Sequence, residues 1–407
     1  MNRFLLMLLA AAVLLGGGVA SADVVIQCPG DLNGDAIPDP FINGRRPNPA
    51  YDPNCKCMHL AAGDGFIVMA DGTVQYIFGF SDVTGVPADM VMHHGMLAAT
   101  FPAPTIVVDE GNEFYLNLTN VGMMMRPDLF DPHTVHWHGF PQASSVFDGV
   151  PDASISINMG ATLTYYYNVA EPGTYMYHCH VEATEHMQMG MLGNLYVRPR
   201  QNGTPYVHAG KTFTQFAYND GDGSTGYDVE FPIQIGSFDS RFHNASGSTQ
   251  PLPFALMKDD YPMLNGRGYP DTVNPNPLPA PAENGGKVSQ PVSARISATR
   301  GERILLRISN LNVTRFYTLA TLGVPMRVVG HNAKLLRGPS PDGGLTPGKD
   351  LYYETNSVTL GGGESVDVLL ETATLNPGTY FLYTTNLHCL SNNAEDFGGM
   401  MTEIIIN

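Results

Sequence analysis

Two short segments of the 407-residue chain have side chains suited to binding a metal at unusually close spacing. The first segment contains His133, His136 and His138. The second contains His178, Cys179, His180, His186 and Met191. One isolated histidine is usually a structural residue. Six histidines, a cysteine and a methionine at these short spacings indicate a metal centre instead.

The geometry of a β-strand divides these residues into two sets, because successive side chains of a strand point to opposite faces. Cys179 therefore points away from its neighbours His178 and His180. We predict two sites, one on each side of a single sheet. The inner site is predicted to contain His133, Cys179, His186 and Met191. The outer site is predicted to contain His136, His138, His178 and His180.

The inner set has the composition of a blue-copper, or type 1, site. In such a site two imidazoles and a thiolate bind copper in a trigonal plane, with a thioether as a weak axial ligand. Zinc can use the first three ligands but gains nothing from a methionine. The four outer imidazoles suit copper, zinc, iron or nickel. One peptide bond joins Cys179 to each of its histidine neighbours, which offers a short covalent path for an electron between the sites.

The pattern His133-x-x-His136-x-His138-Gly139, followed by the second segment, resembles the multicopper oxidase family. The resemblance extends over roughly residues 96–407. It implies that the inner set binds type 1 copper and that the outer set forms half of a trinuclear, type 2 and type 3, copper cluster. The stretch between Cys179 and His186 is longer than is usual in the family, which is expected to adjust the geometry of the site.

The second half of the chain departs from the family pattern. The family completes its cluster with histidine pairs from a second domain, whereas residues 205–407 contain no His-x-His pair. The nearest candidates are His331 and His388, and Cys389 with Met400 resembles the remains of a second type 1 site. We predict that this domain lacks its own type 1 copper. A neighbouring subunit of a homo-oligomer, such as a trimer, would then complete the outer site.

The two-domain layout is also similar, more distantly, to copper nitrite reductase. In that protein His138 and His178 would correspond to type 2 copper ligands. Thr385 stands where the third histidine ligand would align, and Met326 stands where a second catalytic histidine would align. Both departures weaken this interpretation relative to an oxidase.

The rest of the chain is typical of an all-β protein. Short apolar or alternating runs recur between turn residues, of which the chain has many, including 44 Gly and 31 Pro. The resemblance implies two cupredoxin-like Greek-key β-sandwich domains. We predict an irregular, cysteine-containing extension at residues 23–95, a first domain with the copper sites at residues 96–200, and a second domain at residues 205–407.

The first residues of the chain and its net charge indicate the localisation of the protein and the class of its partners. Residues 1–22 resemble a secretory signal, with Arg3 before an apolar run and small residues before Asp23. We expect a periplasmic, secreted or cell-surface protein with no membrane span after cleavage. The net charge of −17 and the lack of a Lys/Arg cluster exclude a nucleic-acid binder. The expected partner is a small reduced substrate or a redox protein.

The remaining cysteines and some acidic residues suggest further features. If Cys179 binds copper, Cys28 can pair with Cys55 or Cys57, and Cys389 can pair with the other. A second cofactor, calcium, is suggested by the spacing of four oxygen-bearing residues, although the distal glutamate of such loops is missing. These residues are Asp31, Asn33, Asp35 and Asp39. An ordinary turn is the alternative.

Methionines and two more histidines lie near the copper segments in sequence. Met123, Met124, Met125, Met187 and Met189 suit either Cu(I), which prefers thioethers, or packing in the core. His93 and His94 precede the first predicted domain, from where they could reach the outer site.

Two functional hypotheses follow from these patterns. In the first, the protein is a copper oxidoreductase that passes electrons from a reduced substrate through type 1 copper to the outer histidines and dioxygen. In the second, it is a blue-copper electron carrier or copper-binding protein without a complete trinuclear cluster. Nitrite reduction is a third, weaker hypothesis.

Overall fold

A computed structural model describes residues 24–248, 251–344 and 346–407. The predicted signal segment, residues 1–22, lies outside the described residues. None of the described helices is long and apolar enough to cross a membrane. The described chain is built mainly of strands, so the predicted all-β class is confirmed.

The first β-sandwich follows an irregular segment that contains a small hairpin, β1 (Phe41–Ile42) and β2 (Arg46–Pro47). Its eight strands are β3 (Cys55–Val68), β4 (Val74–Asp82), β5 (Ala103–Asp109), β6 (Glu113–Gly122), β7 (His136–His138), β8 (Thr162–Asn168), β9 (Gly173–His178) and β10 (Leu192–Arg198). One sheet has the order β4-β3-β6-β8, and the other has the order β5-β10-β9-β7. The side chains between the two sheets form one core that includes Trp137 and Cys179.

Strands β3 and β4 correct the predicted boundary of the first domain. We predicted an irregular extension up to residue 95, but residues 55–82 form two long strands of the first sandwich. Strand β3 pairs in parallel with β6 and antiparallel with β4. Residues 59–65 of β3 are all buried, so this stretch shows no alternation of polar and apolar residues. Within the predicted extension, the irregular part that precedes the sandwich is therefore residues 24–54.

The second β-sandwich contains a seven-stranded and a five-stranded sheet, and two small hairpins precede it. The hairpins are β11 (Tyr206–His208) with β12 (Lys211–Phe213), and β13 (Gln215–Phe216) with β14 (Gly226–Tyr227). The remaining strands are β15 (Val229–Phe238), β16 (Tyr261–Leu264), β17 (Ile296–Ala298), β18 (Arg303–Asn310), β19 (Tyr317–Leu322), β20 (Met326–His331), β21 (Lys334–Leu335), β22 (Tyr353–Thr355), β23 (Ser357–Leu360), β24 (Glu364–Glu371), β25 (Gly378–Thr384) and β26 (Met401–Ile406).

The described residues include three short α-helices, α1 (Val91–Gly95), α2 (Ala183–Gln188) and α3 (Ser240–Ser246). Helix α3 belongs to the second half of the chain but packs on the first sandwich. Its Phe242 is part of the first core. The ring nitrogens of His243 lie 2.6 Å from the Tyr76 carbonyl oxygen and 2.9 Å from that of Gln188. This helix therefore covers the segment that leads from His186 to Met191.

A buried polar network joins the two sandwiches. The Arg307 guanidinium on β18 contacts Glu230 at 2.9 Å and the Asp367 carboxylate at 3.6 Å. Asp367 accepts hydrogen bonds of 2.5 Å from the hydroxyls of Thr174 and Tyr218. Burial raises the pKa of Asp367, and the charge of Arg307 opposes this effect. Because Thr174 lies on β9, the network connects the second sandwich to the strand that leads to Cys179.

One disulfide joins Cys28 to Cys57, which is one of the two pairings that the sequence allowed. The disulfide covalently links the irregular segment to β3. Cys55 and Cys389 are free, so the predicted pairing of Cys389 is wrong. Cys389 is instead buried in the core of the second sandwich, where no other cysteine is present.

Candidate metal centre

The histidines of the first segment are positioned by pairing between β7 and β9. His136 lies directly opposite His178, and His138 lies opposite Met176. The intervening Trp137 is completely buried and stacks on Tyr167 with 3.8 Å between ring centroids. His133 lies just before β7 and forms a two-bond bridge with Ile157. Alternation along this segment therefore sends His133 and His136 to different sides of the sheet.

The inner site brings two imidazoles to the Cys179 thiol. The Nδ1 atoms of His186 and His133 lie 3.2 and 3.8 Å from Cys179 Sγ. All three residues are completely buried. His186 is supplied by α2, which begins within the stretch that is longer than usual in the sequence. The additional residues therefore form a helical turn that returns His186 to the sulfur.

The electrostatics of the inner site favour the thiolate. Burial by itself would raise the pKa of Cys179, but His186 and His133 lower it well below the usual value. The pKa of His186 is in turn raised to about 10, because the neighbouring thiolate and Asp131 outweigh the effect of burial. The thiolate is the form of cysteine that binds metals.

Three further groups surround the inner site. Met191 is completely buried in the same core, and its carbonyl oxygen accepts a hydrogen bond of 3.1 Å from the Cys179 amide. The Thr134 amide donates to Cys179 Sγ at 3.5 Å. The Asp131 carboxylate lies 3.9 Å from His186 Nε2. Hydrogen bonding around the sulfur is one of the features that sets the potential of a blue-copper site.

These donor atoms fit type 1 copper. One atom each of His133, Cys179 and His186 lies within 4.8 Å of the other two. Both imidazoles present Nδ1 to the sulfur, so three donor atoms face one another in a completely buried space. Copper is the ion whose preferred ligands match this set.

The outer site lies on the opposite side of the Cys179 backbone. One ring nitrogen each of His136, His138 and His178 lies within 4.8 Å of the other two, and the His180 ring centroid is 5.1 Å from that of His136. Burial lowers the pKa of His178 to about 3 and also lowers that of His138. Both rings are therefore neutral near pH 7, as a metal ligand requires.

Hydrogen bonds orient two of the outer imidazoles. His136 Nδ1 lies 2.6 Å from the Asp148 carbonyl oxygen, which leaves Nε2 free for a metal. His178 Nδ1 lies 2.8 Å from the Cys179 carbonyl oxygen. Such contacts fix the ring orientation of metal-binding histidines. The second contact also gives a hydrogen-bonded connection between the Cys179 peptide and the outer site.

The outer histidines form one wall of a cavity of about 620 Å³ between the two sandwiches. The opposite wall belongs to the second sandwich and includes Asn312, Thr314, Arg315 and Gly363. A Cβ atom at Gly363 would lie 2.6 Å from His138 Nε2, so the two walls are in contact there. Within the described residues, no histidine of the second sandwich lines this cavity. The described chain therefore brings the four predicted outer histidines, and no other histidine, to this cavity.

The other candidate ligands of the second sandwich lie apart from this cavity. His388 Nε2 accepts a hydrogen bond of 3.0 Å from Arg315, and His388 itself does not line the cavity. His331 pairs with the Tyr353 hydroxyl at 2.8 Å. Thr385 lines a different cavity, and Met326 is buried in the second core. These positions give no support to a nitrite reductase site within one chain.

The remaining predicted residues have other surroundings. In the predicted calcium loop, both carboxylate oxygens of Asp31 accept hydrogen bonds from backbone amides of the turn, and Asp39 accepts one from Leu32. Asp35 contacts Asn33 and the Ile37 amide, so calcium binding there is still a prediction. His93 and His94 lie on α1 and do not line the outer cavity, so their proposed reach to the outer site is wrong.

Several residues of the centre were not predicted from the sequence. Thr134 contributes its backbone amide and Asp148 its carbonyl oxygen, and neither contact depends on the type of side chain. Arg315 comes from the second sandwich, far from both segments in sequence. Asp131 is the exception, because it lies two residues before His133. A carboxylate at that spacing could have been proposed as a neighbour of the inner site.

Comparison with known proteins gives two matches to family models, both described as multicopper oxidase, at residues 84–202 and 248–407. "Multicopper oxidase MCE" of Talaromyces pinophilus is 34% identical over 132 residues, which is 32% of this chain and 19% of that protein. "Laccase-18" of Oryza sativa subsp. japonica is 28% identical over 67% of this chain and 37% of its own length. The chain thus spans less than two-fifths of these curated relatives.

Solved structures share the fold of the chain. A blue copper oxidase from Nitrosomonas europaea superimposes with a TM-score of 0.61 and 24% identity, covering 86% of this chain and 85% of that one. A copper nitrite reductase from the same organism has a TM-score of 0.55 and 16% identity, covering 86% and 93% of the two chains. At these identities the structures establish a shared fold of two cupredoxin-like domains.

Proposed function

Since the chain belongs to the multicopper oxidase family, we propose that it is an exported copper-dependent oxidoreductase that oxidises a small reduced donor and reduces dioxygen. Copper would be held by His133, Cys179, His186 and Met191 at the inner site. The outer site would use His136, His138, His178 and His180. Bound copper supplies one-electron redox chemistry at both sites.

The observation that carries the proposal is the position of Cys179 between two sets of histidines. Its sulfur faces His133 and His186, while its own peptide bonds lead to His178 and His180 on the other side. The contact between His178 Nδ1 and the Cys179 carbonyl oxygen offers a second connection. A chain that only stored copper would not need this linkage between two ligand sets.

The surrounding residues perform three tasks in this proposal. The completely buried environment of Cys179 excludes water from the sulfur. The Thr134 amide adjusts the electron density on that sulfur, and the Asp131 carboxylate orients the His186 ring. The cavity beside the outer histidines is large enough to admit dioxygen, and Gly363 and Arg315 line it from the second sandwich.

Ligands for the missing half of the outer site would come from a neighbouring subunit of a homo-oligomer, for which we propose a trimer. Two facts support this part of the proposal. The second sandwich offers no histidine to the cavity within the described chain. Four histidines nevertheless line that cavity, and hydrogen bonds orient the rings of two of them, His136 and His178.

Oxygen uptake tests the oxidoreductase. Copper-loaded protein should consume dioxygen steadily when a phenol or Fe(II) is the donor. The variant His178→Ala should stop this uptake while it retains the blue colour of the inner site, because His178 contributes only to the outer set. Wild-type protein that takes up no oxygen with either donor would exclude the proposed reaction.

The second candidate function is a blue-copper electron carrier. It is favoured by the incomplete outer set, since the inner site needs no residue from the second sandwich. A carrier would contain about one copper per chain by metal analysis. It would exchange electrons with a redox protein at undiminished rate after His178→Ala, and this result separates it from the oxidase.

A further inference from the structure

Helix α3 contains a buried histidine that is not among the candidate metal ligands. The His243 side chain is completely buried, and it does not belong to either group of residues that could hold a metal. Its Nδ1 lies 2.6 Å from the Tyr76 carbonyl oxygen on β4, and its Nε2 lies 2.9 Å from the Gln188 carbonyl oxygen at the end of α2. A buried polar ring with two such partners indicates a specific structural task.

The His243 ring lies between three elements. A neutral imidazole donates to one of the two carbonyl oxygens, and a protonated imidazole donates to both. In either form the ring fills the space between β4 and α2. The Phe238 ring, at the end of β15, packs against it with 4.3 Å between ring centroids. A substitution of His243 therefore removes a contact that β4, α2 and β15 share.

The contacted residue, Gln188, lies within the segment that joins two inner ligands. It follows His186 by two residues and precedes Met191 by three. The Met191 amide donates a hydrogen bond of 2.8 Å to the His186 carbonyl oxygen, and the Cys179 amide donates one of 3.1 Å to the Met191 carbonyl oxygen. A displacement of Gln188 is therefore transmitted through the backbone to three of the four inner ligands.

The same segment is closely fitted to β4 and β15. The Phe78 amide donates a hydrogen bond of 3.0 Å to the Met189 carbonyl oxygen. Gly190 has a φ of +115°, which favours glycine. A Cβ atom at Gly190 would lie 2.9 Å from the Phe78 carbonyl oxygen and 3.5 Å from Phe238 Cζ. The segment therefore has little room to move while His243 and Phe238 stay in place.

A second residue of α3 contacts α2 on the other side of His186. The Ser246 hydroxyl donates a hydrogen bond of 3.1 Å to the Glu185 carboxylate, and Glu185 directly precedes His186. The Ser246 carbonyl oxygen accepts a hydrogen bond from the Arg126 guanidinium. Helix α3 therefore holds α2 immediately before the ligand His186 and again at Gln188.

Helix α3 is itself fixed by its own half of the chain. The Asp239 carboxylate accepts hydrogen bonds of 2.9 and 3.2 Å from the amides of Arg241 and Phe242, which caps the helix. The amide and the hydroxyl of Ser240 donate to the Asp260 carboxylate at 2.9 and 2.6 Å. The position of His243 is therefore determined by the second half of the chain, not by the loop that it contacts.

We propose that His243 is a positioning residue of the inner site, which fixes the Gln188 carbonyl and thereby the placement of His186 and Met191. The inference rests on the proposed copper ligands but not on the oxidase reaction. A thioether is a weak axial ligand of type 1 copper, and this ligand tunes the redox potential. The second half of the chain therefore adjusts the potential of a copper held entirely by the first half.

Hydrogen exchange of copper-free protein tests the positioning without any metal. His243→Ala should raise the exchange rate of the peptide that spans residues 183–191 by roughly tenfold, because the contact that holds Gln188 is lost. His59→Ala is the matched control, since His59 is also completely buried but contacts the Thr119 hydroxyl at 2.8 Å. Equal exchange of this peptide in wild type and His243→Ala would overturn the proposal, as would an equal increase in both variants.

The reduction potential of copper-loaded protein provides a second readout. His243→Ala should raise it, because a thioether that is held less firmly donates less electron density to Cu(II). The expected change is roughly tenfold in the equilibrium constant for reduction, which is about 59 mV for one electron. His243→Gln retains one N–H donor, so its potential should lie between those of wild type and His243→Ala. The glutamine variant keeps the test decisive if the alanine variant does not fold.

The outcomes of the potential measurement are distinct. A potential that is unchanged or lowered in both His243 variants would contradict the proposal, as would an equal rise in His59→Ala. A wild-type protein without blue absorbance would instead refute the copper ligands on which the inference rests. That failure is separate, because the hydrogen-exchange experiment uses no metal and no oxygen uptake.

Discussion

At the scale of single residues, Cys179 is the centre of the molecule's chemistry. Its sulfur faces two Nδ1 atoms, and its peptide bonds lead to two histidines on the other side. The neighbouring His186 lowers the pKa of the thiol, so the ligand form is present before any metal binds. A chain with a serine at this position would keep the shape of the site and lose its thiolate.

We expect Cys179→Ser to abolish the intense blue absorbance and the type 1 electron paramagnetic resonance signal of copper-loaded protein. The reason is that both come from the bond between copper and a thiolate. Cys389→Ser is the matched control, because Cys389 is also buried but lies in the second core. Blue colour that persists in the Cys179 variant would refute the assignment of the inner ligands.

The burial of His59 leads us to predict that the folded protein becomes less stable at acid pH. This histidine is completely buried on β3, and burial lowers its pKa to about 4, from 6.5 in the unfolded chain. Between these values the unfolded chain binds a proton that the folded chain does not, so stability falls as the pH drops from 6.5 to 4. The full effect is about 3 kcal/mol at the acid end of this window.

His59→Gln should therefore flatten the dependence of the unfolding free energy on pH within this window, measured by urea denaturation at several pH values. His208→Gln is the control, since His208 is only partly buried at the surface hairpin β11–β12. Identical slopes for wild type and His59→Gln would contradict the assignment.

At the scale of elements, the contact between β9 and the second sandwich links the metal strand to the rest of the protein. Thr174 of β9 shares Asp367 with Tyr218, and Arg307 bridges Asp367 and Glu230. These charged groups are removed from water, where an unpaired charge is strongly unfavourable. The network therefore specifies how the two sandwiches meet around the outer cavity.

Asp367→Ala should destabilise the protein by roughly 3 kcal/mol in urea denaturation. The variant leaves Arg307 with Glu230 as its one carboxylate partner, and it leaves the hydroxyls of Thr174 and Tyr218 without their acceptor. Glu171→Ala is the control. It removes a carboxylate that pairs with Lys334 at the surface, and the expected cost is below about 1 kcal/mol. Equal losses in the two variants would show that the buried network has no special role.

At the scale of the whole molecule, the lining of the outer cavity bears on whether the protein works as a single chain or as an oligomer. Its first wall carries four histidines, and its second wall carries Asn312, Thr314 and Arg315. In the proposed function a single chain offers half of a ligand set, and ligands from another copy complete the cluster. The number of coppers bound per chain should consequently depend on the oligomeric state.

The proposed trimer predicts that light scattering gives three times the mass of one chain, together with more than two coppers per chain by metal analysis. Dilution that separates the subunits should lower the copper content of the outer site and leave the blue colour unchanged, because the inner site is complete in each chain. A monomer that contains more than two coppers per chain would contradict an intersubunit site.

The sequence by itself determined the composition of both sites and the class of the fold. Because successive side chains of a strand point to opposite faces, Cys179 is separated from His178 and His180 independently of how the rest of the chain folds. The two sandwiches follow from turn residues and short apolar runs. The boundary at residue 95 was wrong because β3 is buried on both faces, where alternation disappears.

Only the tertiary structure decided which groups meet across long separations in sequence. It showed that Asp131 and Thr134 approach the inner ligands and that Arg315, which bonds His388, lines the outer cavity. Local spacing determines the face of a strand, whereas contacts between distant segments depend on how whole elements pack, and no short motif encodes that packing.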